Sequence, residues 1–551
     1  MNNTAVMQDK NPVIPHTEPP PHPTDAKVGV PNISEKVRDN SPAEVNPRKH
    51  YQVEEVKEPL SDSSGVADSQ QGDVGLQVNI SQSNSPMAAM SPEPSQSIKT
   101  DSSNLPPGTM PFIPHKKRIK PLIILIIVAL LGLLLFVAFR LRSSGPILLG
   151  KKGEILWWGI QHDESVYKPL IEEFERQHPN VKVVYQKQST KDYRERLTNA
   201  LAAGRGPDIF EIHSTWPYMF KNDLASLPAS VMSQEEYTQS FYPVIVSNLS
   251  LQQGIVAIPL EYDALTLFIN EDIFATAIQK PPETWNELKD LVDGSKKGSL
   301  TIRQGGKIIQ SGVALGDTVN IDHWPEIIGL MMFQNRANPA RLSTESESQV
   351  LSFYNQFKRM GVWNNTLPAS TIAFSRGNVA MYFGPTSRAR DIAAENSNLK
   401  FRTVKLPQLP KDKPTDPDYS YATYWAQGVW ERSQNKETAW EFLKYLTERD
   451  SLEKLNDSLR ETEGYPRAFP RPEMNIQFRD DLVVGSVVAL ALDAKSWYLA
   501  DNTFDGPTGI NSQLKSAYEE TLKTWGGGIA QLKTLSQAVQ EILLKYSIPL
   551  R

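Results

Sequence analysis

The chain has 551 residues, 39% of them hydrophobic, a formal net charge of -5 and no cysteine. Lack of cysteine excludes a disulfide framework, a thiolate zinc site, a cysteine nucleophile and a lipid-modified amino-terminal cysteine; the weakly acidic balance offers no basic face to DNA or RNA. Apolar residues are unevenly spread: residues 1–115 hold 17 of the 41 prolines, no tryptophan and two aromatics, Tyr51 and Phe112, too little to offset chain entropy.

That leading stretch, with HTEPPPHP at His16 to Pro23, is expected to be a disordered, Pro/Ser-rich cytoplasmic tail of polyproline character. From Pro121 to Phe139 runs PLIILIIVALLGLLLFVAF, without a charge; as a helix it is about 28 Å long, close to the hydrocarbon thickness of a bilayer. It starts far beyond the reach of a cleaved signal peptide, so residues 116–142 read as one transmembrane signal anchor. Lys116, Lys117, Arg118 and Lys120 precede it and Arg140 and Arg142 follow, which places the amino terminus in the cytoplasm and the rest outside the cell membrane.

After a linker at 143–152 the pattern becomes an alternation of strands and amphipathic helices. Glu154 to Ile160 reads as a buried strand, Val166, Leu170, Ile171 and Phe174 recur at helical spacing, and Val181 to Tyr185 supplies a second strand. Thr190 is expected to cap a helix bearing Tyr193, Leu197 and Leu201, with Pro207 to Ile212 as the third strand. Such alternation predicts a parallel sheet covered on both faces, whose ligands bind beyond the carboxyl ends of the strands, here at Gln161-His162-Asp163 and His213-Ser214-Thr215-Trp216. Thr284 and Glu287 form a capping-box pattern, and Gln304-Gly305-Gly306 suits a hairpin turn. Val379 to Phe383, Phe401 to Leu406 and Tyr421 to Trp430 are further strands.

The runs YKPLIEEFERQHPNVKVVY (167–185), LTNALAAGRGPDIF (197–210), GIVAIPLEYDALTLFINEDIF (254–274), FSRGNVAMYFGPTSR (374–388) and SQNKETAWEFLKYLTERDS (433–451) together resemble the extracellular solute-binding proteins of the maltose-binding type. The resemblance covers nearly all of 153–551. It implies an α/β, two-lobed periplasmic-binding-protein-like fold with a hinge, closing on a sugar or oligosaccharide delivered to the permease subunits of an ABC importer. Lobe 1 would be 153–264 with 406–460, and lobe 2 265–405 with 461–551. The hinge would lie near Leu265 to Asn270, Thr403 to Leu409 and Glu461 to Gly464. Thr386 stands where the family's maltodextrin binders often carry tryptophan, so maltodextrin itself is not favoured.

A pyranose site needs aromatic platforms edged by carboxylates, amides and arginines. Trp158, Trp216 and Trp425 lie at strand ends or in the loops beyond, whereas Trp285 and Trp440 sit on apolar helix faces and read as core. Glu261-Tyr262-Asp263 follows the strand into the first hinge segment, Arg388 follows Gly384-Pro385, and SWYLADNTFDGPTGIN (496–511) gathers Tyr498, Asp501 and Asp505. With Gln161, His162 and His213, these are the candidate ligand contacts. No HExxH, GxSxG, Walker A loop or strand-following GxGxxG occurs. No histidines pair at metal-ligand spacing. The expected protein is therefore a non-enzymatic, cofactor-free monomer, a membrane-anchored solute-binding protein. A transmembrane sensor signalling to the tail and a polysaccharide-acting hydrolase are the rivals.

Overall fold

The computed structural model describes residues 153–550. The expected tail, anchor and linker lie outside these residues, and among the described residues no helix is long and apolar enough to cross a membrane.

Strand β1 (Glu154–Gly159) buries Ile155 and Trp157 by alternation. Helix α1 (Glu164–Gln177) buries Val166, Tyr167, Leu170, Ile171 and Phe174, a stripe of helical period. β2 (Lys182–Lys187) then pairs in parallel with β1, setting Tyr185 beside Trp157. Helix α2 (Tyr193–Ala202) begins after Asp192, whose φ of 52° is left-handed; Thr190 does not cap it, giving only its carbonyl to the Tyr193 N–H. β3 (Ile209–His213) is buried throughout and β4 (Ala257–Ile258) is short.

The chain then enters a second sheet through β5 (Leu265–Asn270), β6 (Ile302–Gln304), β7 (Lys307–Val313), β8 (Val379–Pro385) and β9 (Phe401–Val404). Between β6 and β7, Gly305 and Gly306 have φ of 56° and 80°, as a two-residue hairpin of primed type requires. β10 (Trp425–Val429) returns to the first sheet. The first sheet runs β2-β1-β3-β10-β4 and the second β9-β5-β8-β7-β6. Neither is purely parallel: β10 runs antiparallel to β3 and β4, and β5 antiparallel to β8 and β9, because these strands arrive from the opposite lobe or by a reversal.

Each sheet has its own apolar core, and the chain passes between cores at Ala264–Leu265, Tyr421–Ala422 and Ala468–Phe469. The crossings are tied together: Leu265 N donates to Tyr421 O at 2.8 Å, Thr423 N to Asp263 O at 3.0 Å and Tyr262 N to Ala468 O at 2.8 Å. The implied hinge segments are therefore displaced. Residues 265–270 are β5, 403–409 leave β9 while still on the second core, and 461–464 end the helix Arg449–Glu463. Gln408 explains the second displacement, since its side-chain amide donates to Leu406 O and Tyr419 O, each at 3.0 Å, holding the whole loop to lobe 2. The Thr284 cap forms only half a box: Thr284 Oγ1 accepts from Glu287 N, but Glu287 reaches back to Glu283 N.

Candidate functional site: the interlobe cleft

A cleft opens where the three crossings meet the carboxyl ends of β1 and β3, and residues of both lobes line it. Its first-lobe floor is a hydrogen-bond chain. Trp157 Nε1 donates to Gln427 Oε1 at 2.8 Å, Gln427 Nε2 to Glu211 Oε1 at 3.2 Å, and Glu211 Oε2 accepts the backbone N–H of Ile160 and Gln161 at 2.6 and 3.1 Å. Burial pushes the Glu211 carboxyl above its ordinary pKa, against the pull of those N–H groups. Tyr185 Oη adds a bond to the His162 carbonyl at 2.6 Å. The loop carrying Gln161 and His162 is thus held rigid.

His162 joins the hinge to a buried charge cluster. Its Nε2 lies 2.6 Å from Glu261 and its Nδ1 2.7 Å from Glu463, while Arg467 bridges the same two carboxylates. Burial alone would lower the imidazole pKa, but Glu261 and Glu463 outweigh it and raise it to about 9, so both ring nitrogens donate at neutral pH. Glu463 has the reverse balance: burial opposes its charge, yet His162, Arg467 and Arg390 hold it down at about 2. Arg390 lies on the lobe 2 helix α3 (Arg388–Glu395) and reaches Glu463 at 3.0 Å, so the cluster ties the two lobes together.

Asp263 also spans the lobes. Its Oδ1 accepts from Thr386 N and Thr386 Oγ1 at 2.8 and 2.7 Å, and its Oδ2 accepts from Ser387 N at 2.9 Å. This gives Thr386 a physical reason: its hydroxyl anchors the turn entering α3. On the lobe 2 wall, Arg388 donates through Nε to His323 Nε2 and through Nη1 to Asp391, each at 2.9 Å. His323 Nδ1 then faces Glu326 at 3.1 Å. Asp501 accepts from His323 N at 3.3 Å and pairs with Lys515. Burial works against its charge, and Lys515 with His323 outweighs it, holding Asp501 below the usual carboxylate range.

The mouth is closed by contacts between lobes. Trp425 lies over Phe504, ring centroids 6.1 Å apart at an interplanar angle of 23°. Phe504 has φ of 54°, a conformation rare for a bulky residue and kept where surroundings enforce it. Thr215 Oγ1 donates to Asn511 at 2.9 Å, and Arg194 of α2 donates to Thr508 Oγ1. His213, buried between Thr215 and Thr423, is pushed down to about 3 by burial and stays neutral.

With this geometry stand the comparisons. The family model described as bacterial extracellular solute-binding protein matches residues 159–452, more than half of the chain. The chain belongs to this family. A binding protein of Brucella abortus (strain 2308) is 24% identical over 301 residues, 51% of this chain and 69% of the relative. The maltotriose-binding protein of Pyrococcus abyssi (strain GE5 / Orsay) is 22% identical over 309 residues, 53% of this chain and 62% of the relative. Among solved structures, the cyclic alpha-maltosyl-1,6-maltose binding protein of Arthrobacter globiformis superposes with a TM-score of 0.57 at 18% identity, covering 71% of this chain and 99% of that one. An ABC transporter solute-binding protein of Thermotoga lettingae TMO, bound with alpha-D-tagatose, gives 0.54 at 20% identity, with 71% and 99% covered. These likenesses establish the two-lobed α/β fold.

Of the side chains expected to touch ligand, Gln161, His162, His213, Glu261, Asp263, Arg388, Trp425 and Asp501 line the cleft of this solute-binding domain. Five others lie elsewhere. Trp216 is fully buried, stacked on Tyr193 and Phe220, with Trp425 at its edge. Tyr262 is equally buried, against Tyr242 and Tyr424. Trp158 is the penultimate residue of β1, on the face opposite Trp157, and its Nε1 donates to Gln186 at 3.1 Å. Tyr498 packs beside Trp497 on the lobe 2 core. Asp505 binds the Asn511 N–H at 2.7 Å and the Ser512 hydroxyl at 2.6 Å, holding the start of the helix Ile510–Lys523. Sequence reasoning missed Glu463, Arg467, Arg390, His323, Glu211 and Phe504. The only local signal among them is the four-residue spacing of Glu463 and Arg467.

Proposed function

We propose that this chain is a membrane-anchored extracellular solute-binding protein that captures a carbohydrate between its lobes and hands it, chemically unaltered, to an ABC importer. The observation that carries this is the cleft itself: one cavity lined by both lobes and by the crossing segments, so that a ligand touching both lobes favours the closed state by its differential affinity. Half-buried Trp425 offers an aromatic face, and Gln161 and Asn502 offer amides, which suits a sugar ring edged by hydroxyls. The ligands of two similar proteins, maltotriose for the Pyrococcus protein and cyclic alpha-maltosyl-1,6-maltose for the Arthrobacter one, support the same ligand class.

The carboxylates argue for binding rather than hydrolysis. A glycosidase needs one carboxyl held protonated as acid and a second free to act. Here Glu463 is held at about 2 and Glu261 is shared between His162 and Arg467; burial raises Glu211 and Asp263, but their oxygens already accept N–H and O–H groups of the protein itself. The uncharged run at 121–139 and the lysines before it support a single helix holding the tail in the cytoplasm and the monomeric binding domain outside. The test is the melting temperature of the full-length chain with neutral sugars, sugar acids, amino acids and short peptides. A sugar at a hundredfold its Kd stabilises the fold by about 2.7 kcal/mol. A shift confined to amino acids or peptides would remove the carbohydrate reading.

A further inference from the structure

The hydrogen-bonding capacity of the charged groups in the cleft is spent on one side only. Every carboxylate lining it is engaged. Glu261 faces His162 and Arg467, Asp391 faces Arg388 and Arg390, Asp501 faces Lys515 and the His323 N–H, and Asp263 holds Thr386 and Ser387. The donors are not exhausted. Arg467 lines the cavity, is only 3% exposed, and its Nη1 is buried without a partner although Nε and Nη2 are paired. Arg388, on the opposite lobe, uses Nε and Nη1, leaving Nη2 without a partner among the described residues.

A neutral hydroxyl both donates and accepts, and is poorly served where acceptors are committed and guanidinium N–H groups are not. A carboxylate only accepts, and each of its two oxygens can take a charge-assisted N–H from a different arginine. We infer that the ligand of this cleft is a sugar acid, its carboxylate held by the unspent N–H groups of Arg467 and Arg388 and its hydroxyls by the amides of Gln161 and Asn502. This rests on the carbohydrate reading above and narrows it.

The experiment is calorimetric titration of the full-length chain at pH 7 with glucuronate, galacturonate, glucose, galactose, maltotriose and inorganic phosphate. One uronate is expected to bind at least tenfold tighter than its neutral parent. Arg388→Gln is expected to weaken that uronate at least tenfold more than it weakens the neutral parent sugar, with the circular dichroism spectrum unchanged. Arg467→Lys, which keeps the charge but removes Nη1, should act in the same direction. Neutral sugars binding as tightly as their acids would overturn the acid assignment and leave the carbohydrate reading standing. Heat from phosphate alone, or from none of the compounds, would overturn both.

Discussion

His162→Gln removes a charge while keeping a side chain able to hydrogen-bond, and its effect should depend on pH in a defined window. The imidazole is raised from 6.5 to about 9 against the cost of burial by Glu261 and Glu463. At about 1.4 kcal/mol per pKa unit, that gap corresponds to about 3 kcal/mol of folding stability. Because the folded value lies above the unfolded one, the contribution is complete below pH 6.5 and is lost as pH rises towards 9. The stability difference between wild type and variant should therefore shrink by about 3 kcal/mol from pH 6.5 to above 9, or by a few degrees in melting temperature for a domain of this size. With no cysteine in the chain, no thiol titrates in that interval. Differential scanning calorimetry of both proteins at closely spaced pH values reads the effect. Melting curves that stay parallel from pH 6.5 to 9.5 would refute the buried imidazolium.

Two tryptophans in edge contact should respond oppositely. Trp216→Ala empties a fully buried site and should cost about 3–5 kcal/mol of stability; Trp425→Ala, half-buried at the cleft, should lower ligand affinity by about 1 kcal/mol with a much smaller effect on melting. Thermal denaturation and titration calorimetry on both variants check the pair, and equal losses of stability would contradict the placement. At Gly506, φ is 67° and an added Cβ would push aside the flexible end of the Glu195 side chain across the mouth, so Gly506→Ala should cost about 1 kcal/mol of stability through its left-handed backbone and weaken ligand binding through the lost approach of Glu195, without altering a cleft-lining side chain. Unchanged affinity in the same titration would show that this contact plays no part in closure.

The elements legible in the sequence are those fixed by near neighbours. The alternation of Ile155 and Trp157, the helical stripe from Val166 to Phe174, and the paired glycines at 305 and 306 each reflect forces acting within a few residues. The cleft is assembled otherwise: His162 meets Glu463 across 301 residues of chain, and no local pattern encodes that meeting. Trp216 illustrates a related limit, because a loop beyond β3 is where a ligand contact is sought, yet this one turns inward and buries its aromatic ring. The mixed sheets follow from the same cause, since β10 arrives from the other lobe and its direction is set by the crossing at 421–422.

A sugar that closes the two lobes and leaves unaltered should do so visibly in solution. The cysteine-free sequence allows two labels to be placed cleanly, at Lys191→Cys before α2 on lobe 1 and Lys533→Cys in the helix Ile529–Lys545 on lobe 2, both exposed positions. Energy transfer between them should rise saturably with the bound sugar, fall again on dilution, and return the sugar chemically intact. A sugar that binds while the transfer stays constant, or that is recovered cleaved, would contradict the account.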